Sequence, residues 1–228
     1  MKNFIKRFIL IPMALGVWLN VNAQDWADLN HFRADNNLLE KPHPEEKRVV
    51  FMGNSITIGW SKQIPEFFSQ NPYVNRGISG QTTPQMLLRF RQDVINLNPA
   101  AVVILAGTND IAGNTGPSSL EMILDNIISM AELAKANDIS VILCSVLPAY
   151  DYPWRKGLQP NTKIPKLNKM IKDYCENNGA LYLDYFSAMT DGKNGMRPEL
   201  ATDGVHPNRK GYELMAPMVQ DAIKKVIK

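Results

Sequence analysis

Histidine is scarce in this chain: there are three in 228 residues, and after residue 43 only His206 remains. Histidine is the side chain whose unperturbed charge change falls between pH 5 and 8, so proton transfer at neutral pH has few candidates here. A single histidine in the body of the chain also leaves too few ligands for a metal-dependent phosphoesterase, and no metal or other cofactor is expected. Cysteine is equally sparse. Cys144 and Cys175 fall in different elements, a buried-looking strand and a helix, whereas small disulfide scaffolds use more cysteines. Two buried thiols are expected, and neither has a histidine nearby in sequence to make it a nucleophile. There is no P-loop, no Gly-x-Gly-x-x-Gly fingerprint, no internal repeat and no low-complexity tract.

Long apolar runs are missing too, apart from the N-terminus. There Lys2, Lys6 and Arg7 precede the apolar stretch Phe8 to Leu19, and Val21-Asn22-Ala23 has the small-x-small form of a signal-peptidase site. The stretch contains Pro12 and Gly16 and falls short of the roughly 20 apolar residues of a membrane span. Residues 1–23 are therefore expected to be a signal peptide, with an uncleaved anchor as the alternative. No cysteine lies near the cleavage point, which argues against a lipid anchor. The expectation is a secreted or periplasmic protein with no stable membrane insertion once the leader is gone. Losing those three basic residues takes the count from 25 to 22, against 22 acidic ones, so the formal charge falls from +3 to zero. That balance gives no support for a nucleic-acid partner.

Residues 24–47 read as a helical lead-in. Trp26, Leu29, Phe32 and Arg33 have helical spacing, and Asn36-Asn37 and Pro42-His43-Pro44 break it. His31 and His43 lie in this segment and read as surface residues. From residue 48 to 228 one domain is expected, because short β-rich runs alternate with helical stretches. The runs are Val49–Met52, Tyr73–Asn75, Ala101–Leu105, Val141–Val146 and Leu181–Asp184. Several are continuously apolar, as strands buried on both faces of a parallel sheet should be. Helical patterns cover Ile64–Ser69, Pro84–Asn96, Ser118–Asn137, Ile164–Asn178 and Lys210–Val226. Ser118 or Ser119 suits an N-cap, and Gly179 ends the fourth helix. The alternation predicts an α/β fold: a three-layer α/β/α sandwich around a five-stranded parallel sheet, flavodoxin-like.

In such a sheet, ligands bind outside the carboxyl ends of the strands. The first strand is followed by Gly53-Asn54-Ser55 and the second by Gly77-Ile78-Ser79-Gly80-Gln81-Thr82. The third is followed by Ala106-Gly107-Thr108-Asn109-Asp110, and Asp203-Gly204-Val205-His206-Pro207-Asn208 precedes the last helix. All four blocks fall on one rim. Here the chain resembles the SGNH, or GDSL-type, hydrolases, whose name gives one residue from each of four blocks. The matches are Ser55, Gly80, Asn109 and His206, and the resemblance spans residues 48 to about 225. Two departures stand out: Asn54 occupies the place of the family's Asp, and Ile56 that of its Leu.

The resemblance implies a serine esterase. Ser55 would attack an ester carbonyl, His206 would act as base and then acid, and Asp203 would orient the imidazole. The Ser55 and Gly80 backbone N–H groups and the Asn109 amide would form the oxyanion hole. Each residue also has a plainer reading. Ser55 could be an N-cap, Gly80 a turn glycine, Asn109 a turn or capping residue, and Asp203 an N-cap or turn residue. Asp110 reads as holding its loop, Gly77 as a turn residue, and Asn75 as tying down its own loop. The long Pro148–Pro165 loop carries Tyr150, Tyr152, Trp154 and Arg155, either as substrate-binding groups or as a flap packed by its own rings. An ordinary α/β-hydrolase is disfavoured because Gly53-Asn54-Ser55-Ile56-Thr57 lacks the second glycine of Gly-x-Ser-x-Gly. The expected substrate is a small-molecule or glycan ester with an acetyl or other short acyl group. A lysophospholipase or short-chain lipase is the first alternative. A non-catalytic carbohydrate-binding protein on the same fold is the second.

Overall fold

The computed structural model describes residues 25–43 and 45–227; the expected leader, 1–23, lies outside the described residues. Strands β1 (Val49–Gly53), β2 (Tyr73–Gly77), β3 (Ala101–Leu105), β4 (Ser140–Cys144) and β5 (Leu181–Leu183) form one sheet in the order β2-β1-β3-β4-β5. Every pairing is parallel, and this is the flavodoxin-like order. The helices are α1 (Arg33–Leu38), α2 (Ser55–Gln63), α3 (Glu66–Ser69), α4 (Thr83–Asp93) and α5 (Thr108–Ile111) in the first half. They continue as α6 (Leu120–Lys135), α7 (Pro160–Asn178), α8 (Tyr185–Met189) and α9 (Arg209–Val226).

The strand period of two divides the core. Val50, Met52, Val102, Ile104, Val141 and Leu143 pack with Met86 and Phe90 of α4, Ile123 and Ile127 of α6, and Leu167 of α7. Val49, Phe51, Ala101, Val103, Leu105 and Ile142 pack on the other face with Trp60 of α2 and Tyr212 and Met215 of α9. Both faces are covered, as continuous apolar strands require. Phe51, Trp60, Phe67, Phe68 and Tyr73 form a set of tilted and edge-on ring contacts on the second face. Cys144 and Cys175 are both buried and unbridged, and burial pushes both thiols up, Cys175 to about 11.

The short helices α5 and α8 were not expected, and three further segments differ from their sequence expectation because a distant partner overrides local pattern. The lead-in is turns as far as Phe32, and its helix α1 runs through Asn36-Asn37 rather than ending there. Glutamine side chains take the carbonyls that a helix would need: Gln85 Nε2 donates to Trp26 O (2.6 Å), Gln81 Nε2 to Ala27 O (2.8 Å) and Gln92 Nε2 to Leu29 O (2.5 Å). Asn36 is held by Asp93 (2.7 Å) and Arg76 (2.6 Å). Helix α2 starts at Ser55, capped by Asn54 rather than by the serine and ahead of the expected stretch Ile64–Ser69, and buries Ile56, Thr57 and Trp60. Helix α7 begins at Pro160, so the preceding loop is shorter and Pro165 lies inside the helix. Asn161 O, the carbonyl that Pro165 leaves without its amide partner, accepts from Asn194 Nδ2 at 3.0 Å.

Beneath the strand ends lies a buried guanidinium. Arg89 of α4 is fully buried and donates to Asp93 (3.0 Å), Gln81 Oε1 (2.6 Å), Gly53 O (3.1 Å) and Arg76 O (2.9 Å). It thereby joins α4 to the last residues of β1 and β2. Removing one member of a buried pair leaves the other charge uncompensated. Arg89→Ala should therefore lower unfolding free energy by about 3–5 kcal/mol, read as a lower urea midpoint, and the Arg89→Met/Asp93→Leu double variant should recover part of that loss. A midpoint unchanged in the single variant would contradict this.

Candidate active site

Strand β1 ends at Gly53, and Asn54 caps α2: its Oδ1 accepts from Ile56 N at 3.0 Å. Ser55 is the first residue of that helix and is part-buried. Asn54 is itself buried and works as a cap, a position where asparagine and aspartate serve equally. The departure from the family's aspartate is thus accommodated by the helix start. The Ser55 backbone N–H, at the first helical position, has no intrahelical acceptor.

The last block meets it from the other end of the chain. Asp203 Oδ1 accepts from Val205 N (3.0 Å) and His206 N (2.8 Å), while Oδ2 lies 2.7 Å from His206 Nδ1. His206 Nε2 is 3.0 Å from Ser55 Oγ, across 151 residues of sequence. With Nδ1–H donated to the carboxylate, Nε2 is left to accept the serine proton. Partial burial pushes the Asp203 carboxyl up, but hydrogen bonds from the His206 N–H, the His206 ring and the Val205 N–H outweigh it and hold the group below its ordinary value. Two contacts fix this loop on the body of the protein. Asn208 caps α9 by accepting from Gly211 N (3.1 Å), and the Tyr212 hydroxyl donates to Ile56 O (2.7 Å) one residue beyond Ser55.

The loops after β2 and β3 complete the rim. Gly80 has φ +78°, a left-handed conformation that glycine adopts without strain. Its N–H donates to no protein group among the described residues. Asn109, buried in α5, gives one amide hydrogen to Gln81 O (2.9 Å), which leaves the second without a protein acceptor among the described residues. Asp110 holds the loop: it accepts from Thr83 N (2.9 and 3.1 Å) and Thr83 Oγ1 (2.5 Å). Burial raises its carboxyl and the Thr83 bonds oppose that rise. Asn114 Nδ2 donates to Gly80 O at 3.0 Å. Asn114 is not among the residues expected at the site; its signal in the sequence is the setting Gly113-Asn114-Thr115-Gly116, a turn composition. Asn75 Oδ1 accepts from Gly77 N (2.9 Å) and its Nδ2 donates to Thr57 O (2.8 Å), so it ties β2 to α2 as well as to its own loop.

The aromatic loop divides in its roles. Tyr152, expected to touch substrate, is instead fully buried, and its hydroxyl meets Thr108 Oγ1 (2.9 Å) and Thr108 O (3.0 Å). A buried hydroxyl needs such a partner, and that need takes the ring away from the surface. Trp154 stacks on it (centroids 5.2 Å, 25°), stays 47% exposed, and lies 5.7 Å from the His206 ring. Arg155 Nη1 donates to Ala112 O (2.8 Å) and Gly113 O (2.7 Å). Tyr150 is exposed and lines a separate cavity with Asp203 and Gly204. A cavity of about 550 Å³ beside Gly80 is lined by Asp28, Ser79, Asn114, Trp154 and Arg155 among others.

The chain is similar to several known proteins. The profile of the GDSL-like lipase/acylhydrolase family matches residues 51–214. A solved structure from Bacteroides fragilis is 48% identical, with a TM-score of 0.88 over 90% of this chain and 100% of that one. A GDSL-like lipase from Bacteroides thetaiotaomicron is 49% identical, with a TM-score of 0.85 over 87% of this chain and 98% of that one. An acetylxylan esterase from Xylanibacter ruminicola is 26% identical over 92% of this chain but 49% of its own length, so the chain spans about half of that relative.

The approach of β2 to α2 sets the serine's position and can be tested. A Cβ on Gly77 would sit 2.4 Å from Ile58 N and 2.8 Å from Asn54 O, both backbone atoms. Gly77→Ala should cost about 1–3 kcal/mol of stability and displace the first turn of α2. Since misplacement by about 1 Å can cost 10²-fold in rate, kcat should drop well beyond what the lost stability explains. Unchanged kcat in a folded variant would overturn this.

Proposed function

The chain belongs to the GDSL-like lipase/acylhydrolase family, and from that premise we propose that it is an exported serine esterase that removes acetyl or other short acyl groups from carbohydrates. The observation that carries this reading is the hydrogen-bonded chain from Ser55 Oγ to His206 Nε2 (3.0 Å) and from His206 Nδ1 to Asp203 Oδ2 (2.7 Å). Ser55 Oγ attacks the ester carbonyl carbon as its proton passes to His206 Nε2. The carbonyl π pair moves onto oxygen, where the Ser55 and Gly80 N–H groups and the free Asn109 amide hydrogen stabilise it. The intermediate collapses, the C–O bond to the alcohol breaks, and the His206 proton goes to the departing alkoxide. Water, deprotonated by the same imidazole, then releases the acyl group and restores Ser55. Asp203 stays ionised throughout and stabilises the imidazolium.

The carbohydrate part of the reading rests on the cleft. Its lining includes Asp28, Ser79, Asn114 and Arg155, polar groups suited to hydroxyls and ill-suited to a long acyl chain. The acetylxylan esterase among the relatives points the same way. Lipase activity is the second reading, favoured by the GDSL-like lipase of similar sequence. Export rests on the leader pattern of residues 1–23, with residues 48–228 as the hydrolase domain and 24–47 as its lead-in. Among the described residues no helix is long and apolar enough to cross a membrane.

Ser55→Ala should leave the fold intact and reduce ester hydrolysis by at least about 10³-fold, and a fluorophosphonate should label Ser55 alone by peptide mapping. Asn109→Ala should cost roughly 10²–10³ in kcat. Chelators should change nothing; EDTA inactivation reversed by zinc would reject the serine mechanism.

Acyl length separates the two substrate readings. kcat/KM should be highest for acetyl esters and fall as the acyl chain lengthens. Trp154→Ala should lower turnover of an acetylated sugar more than that of an aryl acetate. A steady climb from two-carbon to twelve-carbon chains would install the lipase reading instead.

A further inference from the structure

Residues 25–43 precede the segment that the family profile matches, yet they contribute a wall to the cleft. Ala27 and Phe32 are buried in the body of the domain. Gln81, Gln85 and Gln92 hold the carbonyls of Ala27, Trp26 and Leu29, and the Phe32 ring lies 4.6 Å from the Arg76 guanidinium. These ties fix Asp28 at the 550 Å³ cavity, in company with Ser79, Gly80 and Trp154.

Asp28 is held in an unusual way. Its φ is +54°, a left-handed conformation uncommon outside glycine and tolerated best by asparagine and aspartate. Its Oδ2 meets His31 Nδ1 at 2.8 Å, and Oδ1 has no protein partner among the described residues. In the same cavity Arg155 spends Nη1 on two carbonyls; its Nε and Nη2 donate to no protein group among the described residues. A carboxylate only accepts and a guanidinium only donates, so the cavity offers both complements to a hydroxyl. The half-exposed Trp154 ring beside His206 adds an apolar face for the C–H side of a sugar.

We infer that residues 25–38 form a specificity strap, in which Asp28 accepts hydrogen bonds from hydroxyls of a sugar that forms the alcohol part of the ester. The inference rests on the esterase reading above and assigns its alcohol selectivity to a segment outside the matched family region.

The test compares kcat/KM on an acetylated xylo-oligosaccharide with kcat/KM on nitrophenyl acetate, for the wild-type chain, Asp28→Gly and Asp28→Asn. Glycine removes the carboxylate and accepts the left-handed backbone; asparagine keeps the shape and loses the charge. The sugar-to-aryl ratio should fall roughly 10- to 100-fold in Asp28→Gly, the value of a hydrogen bond to a charged acceptor, and less in Asp28→Asn. Thermal melting reports whether the strap stays docked. An unchanged ratio, or equal loss on both substrates, overturns the strap alone. A wild-type chain that cleaves the aryl acetate and no acetylated sugar overturns the carbohydrate reading and the strap with it.

Discussion

All five strands run the same way, so the chain leaves every one of them at the same rim, and the rest of the site hangs on that constraint. The order β2-β1-β3-β4-β5 makes β1 a branching point. From β1 the chain crosses through α2 on one face to reach β2, and from β2 it crosses through α4 on the other face to reach β3. Loops that diverge to opposite faces leave a crevice above the strand ends, the usual ligand position in an open α/β sheet. Ser55 follows β1 and Asn109 follows β3, whose residues pair with each other along the full register from Val49–Ala101 to Gly53–Leu105. The spacing between the proposed nucleophile and its proposed oxyanion donor is therefore set by sheet pairing, before any loop takes shape.

Sheet pairing does not deliver His206. That residue arrives with α9, which packs Tyr212, Met215 and Val219 on the same face as Trp60. The Tyr212 bond to Ile56 O then locks α9 to the first turn of α2. Below the rim the polar groups are almost all spoken for: Arg89 reaches four partners, and Asp110 takes both Thr83 donors. Such a network is costly if partly satisfied and rigid when complete. It holds the loops after β2 and β3 in place ahead of substrate, and electrostatic stabilisation of a developing charge depends on that preorganisation.

The walls of the cleft follow a different logic from its floor. Trp154 and Arg155 lie on a loop held by Tyr152 and Arg155 bonds to backbone carbonyls, and Asp28 lies on the lead-in held by glutamine bonds to its neighbours' carbonyls, with no sheet pairing. Loops and termini positioned by a rigid scaffold are where binding groups usually reside.

Much of this was open to a reading of the residues alone. Short β-rich runs marked all five strands, β3 at both ends. Those of β1, β3 and β4 are apolar throughout or nearly so, because burial on both faces leaves no room for polar alternation. The half-buried edge strand β2 instead carries Asn75 and Arg76. The amphipathic stripes of α6 and α9 were equally plain, and four motif blocks after the strands pointed to one rim. Other features depended on partners far away in sequence. Ile56, Thr57 and Ile58 are β-branched and lean towards strand, yet they are helical because Asn54 caps them and Trp60 has a core to enter. Nothing local distinguishes Tyr152, buried against Thr108, from Trp154, left half in solvent two residues on. The lead-in has helical spacing and still forms turns, because three glutamines capture its carbonyls. The chemical groups the protein has, and the periodicity that sorts them into layers, are properties of local stretches of chain. Which of them meet, as Ser55 and His206 do across 151 residues, was decided by tertiary structure, since a contact at that separation depends on the path of the whole chain rather than on any stretch of it.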